Sequence, residues 1–131
     1  MIWMNKRKSV AVFLLAVLIV GAVLAANGCK TVYGISQGTY EKRTQEAYVP
    51  VIYFDMSAEP THFWMAADKR VSFAYRGTVE LKNGYAYLHV ENGGQVWAFE
   101  VADNDTIVFT ESKSDECKLA KEGDTFLLQK N

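Results

Sequence analysis

His62, His89 and Cys117 carry the side chains that a zinc ion prefers, and with one carboxylate they would complete a four-ligand site. No ligand spacing joins them, because the two histidines fall in two distant strand-like runs. Ser57, Ser112 and Ser114 sit in loop-like stretches, where a nucleophile needs a base and an orienting group beside it. The sequence identifies no such partner for any of them. Asp103 and Asp105 have the look of paired carboxylates, the equipment of a glycosidase. They flank a hairpin loop, however, and Asp or Asn in a turn bonds its own backbone. The Gly93-Gly94 pair makes no phosphate cradle, since no helix follows it to offer an N-terminus. The sequence therefore predicts no catalytic residue, no metal ligand set and no cofactor.

The elements that would position these groups begin with a leader. "MIWMNKRK" carries Lys6, Arg7 and Lys8, and residues 10–26, "VAVFLLAVLIVGAVLAA", are apolar without a break. Basic then apolar is the order of a secretory signal or of a helical anchor whose basic end stays in the cytoplasm. All 15 acidic residues but only 11 of the 14 basic ones follow Cys29, so the remainder is net acidic. A basic face is the first requirement of a nucleic-acid binder, and that class is excluded. The remainder is long enough for one modest core.

The junction "LAANGCK" offers three fates. A cysteine soon after an apolar signal core resembles the lipobox of bacterial lipoproteins, in which the thiol is diacylated and the chain is cut just before it. Gly28 fits that pattern at Cys29, whereas Asn27 departs from it. Alternatively "VLA" or "LAA" is cut by an ordinary signal peptidase, or the segment stays uncut as an anchor. All three place the remainder outside the cytoplasm, and two attach it to the membrane, through lipid on Cys29 or the N-terminal segment itself. A released chain would leave Cys29 able to pair with Cys117 in an oxidising compartment, closing a loop for ~4 kcal/mol in the chain-entropy model. Otherwise Cys117 is a free thiol in a surface loop. The organisation expected is a signal or anchor at 1–28, a tether at 29–37 and a folded domain at 38–131.

Within that domain, residues 38–42, 48–55, 61–68 and 70–82 are rich in β-branched and aromatic residues and bounded by turn formers, the signature of strands. Turns then set register. Asn83-Gly84 is the strongest two-residue hairpin signal, pairing Lys82 with Tyr85, Leu81 with Ala86 and Val79 with Leu88. A tight turn at Gly93-Gly94 would place Val90 against Trp97, Leu88 against Phe99 and Ala86 against Val101. The loop 103–105 sets Val101 against Ile107 and Phe99 against Phe109. All three turns agree on one apolar surface, and a one-residue slip at any of them would break that agreement. Thr78, Glu80, Lys82, Tyr87, His89, Glu91, Glu100 and Thr110 fall on the opposite, watered face.

A flat meander leaves two unpaired edges, so seven or eight strands joined by short turns most simply close into an all-β, antiparallel, up-and-down barrel. The residues expected to line it are Ile52, Phe54, Phe63, Met65, Phe73, Tyr75, Leu81, Leu88, Trp97, Phe99, Ile107, Phe109, Phe126 and Leu128. So many aromatics favour a filled interior over a pocket. "VIYFD", Phe63, "GTVELKNGYAYL", "WAFEVADNDTIVF" and "GDTFLL" together resemble a lipocalin-like β domain of exported proteins of Gram-positive bacteria. The same kind of domain stands beside membrane metallopeptidases of the β-lactam-sensor type. The resemblance spans residues 38–128, implies an extracytoplasmic antiparallel barrel and lends no catalytic residue. "SKSDECKLAKE" and Cys117 match it poorly.

Two aromatic groups remain as functional candidates. Tyr53, Trp64, Tyr85 and Tyr87 point outward and suit a partner-binding patch, or simply pair across strands. Tyr75 and Trp97 are placed to border a ligand cavity at the barrel mouth. The reading favoured is a membrane-tethered, extracytoplasmic, non-enzymatic module for a protein partner or a small apolar ligand. An envelope-acting hydrolase and a structural spacer are its rivals.

Overall fold

Asn83 and Gly84 take φ of 51° and 83°, the left-handed pair that a tight hairpin demands. Lys82 accordingly faces Tyr85, Leu81 faces Ala86 and Val79 faces Leu88, as the sequence predicts. In the computed structural model, which describes residues 34–130, this hairpin is part of one continuous meander. Its strands are β1 (Gly38–Lys42), β2 (Val51–Asp55), β3 (His62–Ala66), β4 (Tyr75–Lys82), β5 (Tyr85–Val90), β6 (Val96–Asp103), β7 (Thr106–Phe109) and β8 (Thr125–Leu128). Each pairs antiparallel with its chain neighbour, and β8 returns to β1, so the sheet closes into an eight-stranded barrel. Closure leaves no edge for another chain to extend. The expected leader helix, Cys29, and hence any bond between Cys29 and Cys117, lie outside the described residues.

Side chains fill the barrel axis. Trp97, Tyr40, Phe54, Phe63, Phe99, Phe109 and Phe126 are all less than 2% exposed. Phe99 stands edge-on to Phe109 and to Phe126, with ring centroids 5.3 and 5.5 Å apart, the arrangement that ring quadrupoles favour. Burying each such side chain contributes ~1.5–3 kcal/mol before ordering costs. Among the described residues the core and every ladder lie within residues 35–128, inside one compact unit, Tyr33–Asn131.

Several expectations are corrected. The Gly93-Gly94 connection is a longer loop, closed by the Val90 amide donating to the Gln95 carbonyl at 2.9 Å. Leu88 therefore faces Trp97, and Ala86 faces Phe99. The slip is two residues, which keeps every side chain on its expected face, so hydrophobic alternation does not distinguish the two registers. After the 103–105 turn, Phe99 faces Phe109 and Val101 faces Ile107 as predicted, with a bulge between Val101 and Asp103. The strand expected over 70–82 starts only at Tyr75, and Phe73, expected to line the barrel, is 49% exposed. Leu81 is 48% exposed, because it stands at the end of the β4–β5 hairpin, beyond the packed interior. Tyr75 and Leu128 are half-buried against the core. Tyr40, Ile35 and Ala120 join the core unforeseen.

The two ends of the barrel differ. One carries the turns Asn83-Gly84 and Asn104-Asp105, the 56–61 loop and residues 34–37. The other carries the connections 43–50, 67–74, 91–95 and 110–124, three of them eight residues or longer. At the first end, which we call the sealed end, residues 34–37 lie against the barrel although the sequence placed them in the tether. Ile35 is buried there. The Tyr40 hydroxyl donates to the Asn104 carbonyl at 2.8 Å and accepts from the Ser36 amide at 2.8 Å. Ser36 Oγ donates to the same carbonyl at 2.7 Å. Burial pushes the Tyr40 phenol above its ordinary range, so it stays protonated as a donor.

Candidate binding surface at the loop end

The loop end is organised by one carboxylate. Asp68 is the buried charged residue of the described part. Its Oδ1 accepts the Val49 amide at 2.6 Å, and its Oδ2 accepts the Arg70 amide at 3.0 Å and Arg70 Nε at 2.6 Å. Arg70 Nη2 also donates to the Ala47 carbonyl at 2.7 Å, so the clasp ties loop 43–50 to loop 67–74. The Arg70 guanidinium and then the Val49 amide hold the Asp68 carboxyl well below the usual carboxylate range. This clasp also explains the shortened strands. Val49 and Arg70 give their amides to Asp68 rather than to a ladder, and Pro50 has none to give. The loop tips Tyr48, Val71 and Phe73 are thereby held in the open, at 68, 56 and 49% exposure.

The 110–124 segment is the lid of this end. A 3-10 turn at Glu111–Lys113 brings Ser114 Oγ to the Ala98 amide at 2.7 Å, which covers the outer face of β6 there. Asp115 then runs beside β6, donating its amide to the Val96 carbonyl at 2.8 Å. Trp97 Nε1 donates to the Glu116 carbonyl at 3.1 Å. Cys117 and Leu119 pack on the core and Ala120 is buried. Cys117, expected in a surface loop, is half-buried, and burial pushes its thiol up, away from the nucleophilic thiolate.

Four clefts open between these loops. The first, about 440 Å³, lies between loop 43–50 and the 118–121 turn, with Tyr48, Pro50, Ala67 and Leu119 on its wall. A second, about 370 Å³, runs under the lid past Ser114 and Cys117. A third, about 300 Å³, is bordered by Trp64, Phe73, Tyr75 and Arg76. The fourth, about 340 Å³, holds Tyr75 and Trp97. Those two residues do reach the barrel mouth, where their rings meet edge-on with centroids 5.0 Å apart. Trp97 is 1% exposed, so its ring forms the floor rather than a rim. Gln95 Oε1 is buried at this cleft with no hydrogen-bond partner.

The outward aromatics form two groups rather than one patch. Tyr53 and Trp64 face each other across β2 and β3 with centroids 5.8 Å apart, and Gln37 Nε2 donates to the Tyr53 hydroxyl at 2.9 Å. Tyr85 and Tyr87 sit 6.1 Å apart on β5, with the Lys113 ammonium 5.1 Å from the Tyr85 ring centre. Cross-strand pairing accounts for the first group and a cation over a ring for the second.

The remaining sequence candidates are placed as follows. His62 and His89, separate in sequence, both pair with Thr78 and so share one outer row across three strands. His62 Nδ1 lies 2.9 Å from the Pro60 carbonyl and His89 Nε2 3.2 Å from Glu80. Among the described residues no His, Cys, Asp and Glu group is arranged to hold a metal ion. Asp103 accepts the Asp105 amide at 2.8 Å, and Asp105 pairs with Lys130 at 2.7 Å. Ser57 Oγ donates to Asp55 at 2.6 Å and Ser114 Oγ to the Thr110 carbonyl at 2.7 Å, both local turn contacts. What sequence reasoning missed is the clasp. The signal was "DKR", a carboxylate two residues before a guanidinium at the end of a strand-like run. Comparison with protein-family models, with curated proteins and with solved structures returns no match.

Proposed function

We propose that this chain is a non-enzymatic, extracytoplasmic binding module of lipocalin-like build that works through its loop end. The observation that carries this reading is a contrast within one barrel: side chains fill the axis, while the four clefts described open at one end beside exposed Tyr48, Val71 and Phe73. The exposed large apolar side chains of the other end, Leu81 and Met56, border none of them. Exposed apolar groups beside clefts, on loops tied down by a buried carboxylate, are a mark of a contact surface. Tyr75 and Trp97 contribute to it, and so does the Trp64 group through the cleft it shares with Phe73. The chain joins the barrel at the opposite, sealed end. The basic–apolar leader supports attachment to the membrane, by lipid on Cys29 or by the uncut segment.

A neutral apolar probe tests the surface. Titration of residues 34–131 with decanol, followed by amide chemical shifts, is expected to move signals from loops 43–50, 67–74 and 110–124 and leave Asn83-Gly84 unmoved. Shifts centred on the sealed end would overturn the reading. Intact mass of the membrane-extracted chain separates acylation of Cys29, simple cleavage and retention of the leader.

A further inference from the structure

The largest of the clefts described, about 440 Å³, is within the range that small-molecule sites occupy, roughly 300–1,000 Å³. Its wall is mainly apolar, from Tyr48, Pro50, Ala67 and Leu119, and its rim is charged. Lys42 at that rim is already held by Asp124 at 3.0 Å. Lys118 and Lys121 form no ion pair among the described residues. Glu46 is the one acidic side chain lining the cleft, so the rim is net positive. Both line the same cleft, and an anion seated there gains attraction from each. Water satisfies lysines without any apolar surface. It does not satisfy the apolar wall beside them.

We infer that this cleft binds an amphipathic carboxylate, its chain lying on Tyr48, Pro50, Ala67 and Leu119 and its carboxylate between Lys118 and Lys121. The inference rests on the reading of the loop end as a binding surface and names the ligand class. The chain lies outside the barrel axis, which Phe99, Phe109 and Phe126 occupy. Lysines are compact point charges that take an anionic head without demanding a planar fork. An uncharged or cationic head on the same chain forgoes that attraction.

The test is calorimetric titration of residues 34–131 with hexanoate, octanoate and decanoate below micelle formation, beside decanol and decylammonium. Affinity is expected to rise roughly three- to fourfold per added methylene. Decanoate should bind at least about tenfold tighter than decanol, and decylammonium weakest. The double variant Lys118→Glu/Lys121→Glu changes two exposed side chains, and it should invert the order of decanoate and decylammonium. Ala67→Trp fills the cleft and should abolish binding of all three probes there, with the thermal melt unchanged. Equal affinity for decanol and decanoate, or indifference to charge reversal, overturns the carboxylate inference and leaves the loop-end surface standing. Amide shifts confined to the sealed end, for every probe, overturn both.

Discussion

The two ends of this barrel solve one problem in opposite ways. Each must finish a packed column of aromatic rings without leaving backbone groups orphaned. The sealed end does so with two two-residue turns, the 56–61 loop and one plug: Tyr40, Ser36 and the Asn104 carbonyl satisfy one another over Ile35. The loop end uses a charged clasp at Asp68 and a lid whose Glu116 carbonyl takes the Trp97 indole proton. The tight turns of the sealed end leave Leu81, and its 56–61 loop leaves Met56, as the exposed large apolar side chains of that end. A clasp that joins two long loops leaves their tips outside, and those tips here are Tyr48, Val71 and Phe73. On the proposed reading, recognition belongs to the loop end, while both ends close the same column.

The comparison can be broken at several points. Phe99→Ala, at the centre of the shared column, should cost about 3–5 kcal/mol by urea denaturation. Both ends should lose amide protection together, and loss at one end alone would mean two independent cores. Gly77→Ala comes next at about 3 kcal/mol, because a Cβ at Gly77 would fall 1.8 Å from the His89 carbonyl oxygen in the neighbouring strand. Tyr40→Phe removes the plug hydroxyl and leaves the Ser36 amide without its acceptor. A loss of about 1–2 kcal/mol is expected, with decanol binding unchanged.

Asp68→Asn should lower Tm by several degrees near neutral pH and loosen loops 43–50 and 67–74, read as faster hydrogen exchange there alone. The sign with pH follows from a depressed folded-state pKa. The clasp's contribution is complete above the ordinary Asp value of ~3.9 and is lost as pH falls through the lower folded value. Wild type and variant should therefore begin to converge below about pH 4 and meet only once pH has passed the lower folded value. Smallest in stability is Phe73→Ser, expected within ~0.5 kcal/mol of wild type. Weaker decanol binding from so neutral a change would sharpen the division between the ends, whereas full binding would blunt it.

Much of the barrel was legible beforehand because its grammar is local. Asn83-Gly84 specifies one turn geometry, and the alternation in β4, β5, β6 and β7 specifies one inner face. The register between β5 and β6 was not legible, since slips by two residues preserve alternation. Phe73 was assigned inward because it continues the phase of Tyr75. The Asp68–Arg70 clasp, which joins loops separated by two strands, takes the Arg70 amide away from the sheet. Tyr40 was overlooked for the same reason: "GTYEK" is short, and its burial depends on β2 and β8 closing around it. The histidines looked remote because sequence distance ignores that β3 and β5 both flank β4.

What the sequence determined by itself is the strand set, its inner face and its tight turns, all consequences of side-chain period and of residues that tolerate positive φ. Tertiary structure alone decided how the ends close, which loops the Asp68 carboxylate joins, and which apolar side chains are left facing water. Those outcomes depend on charges and carbonyls meeting across long stretches of chain, and no local pattern records such meetings.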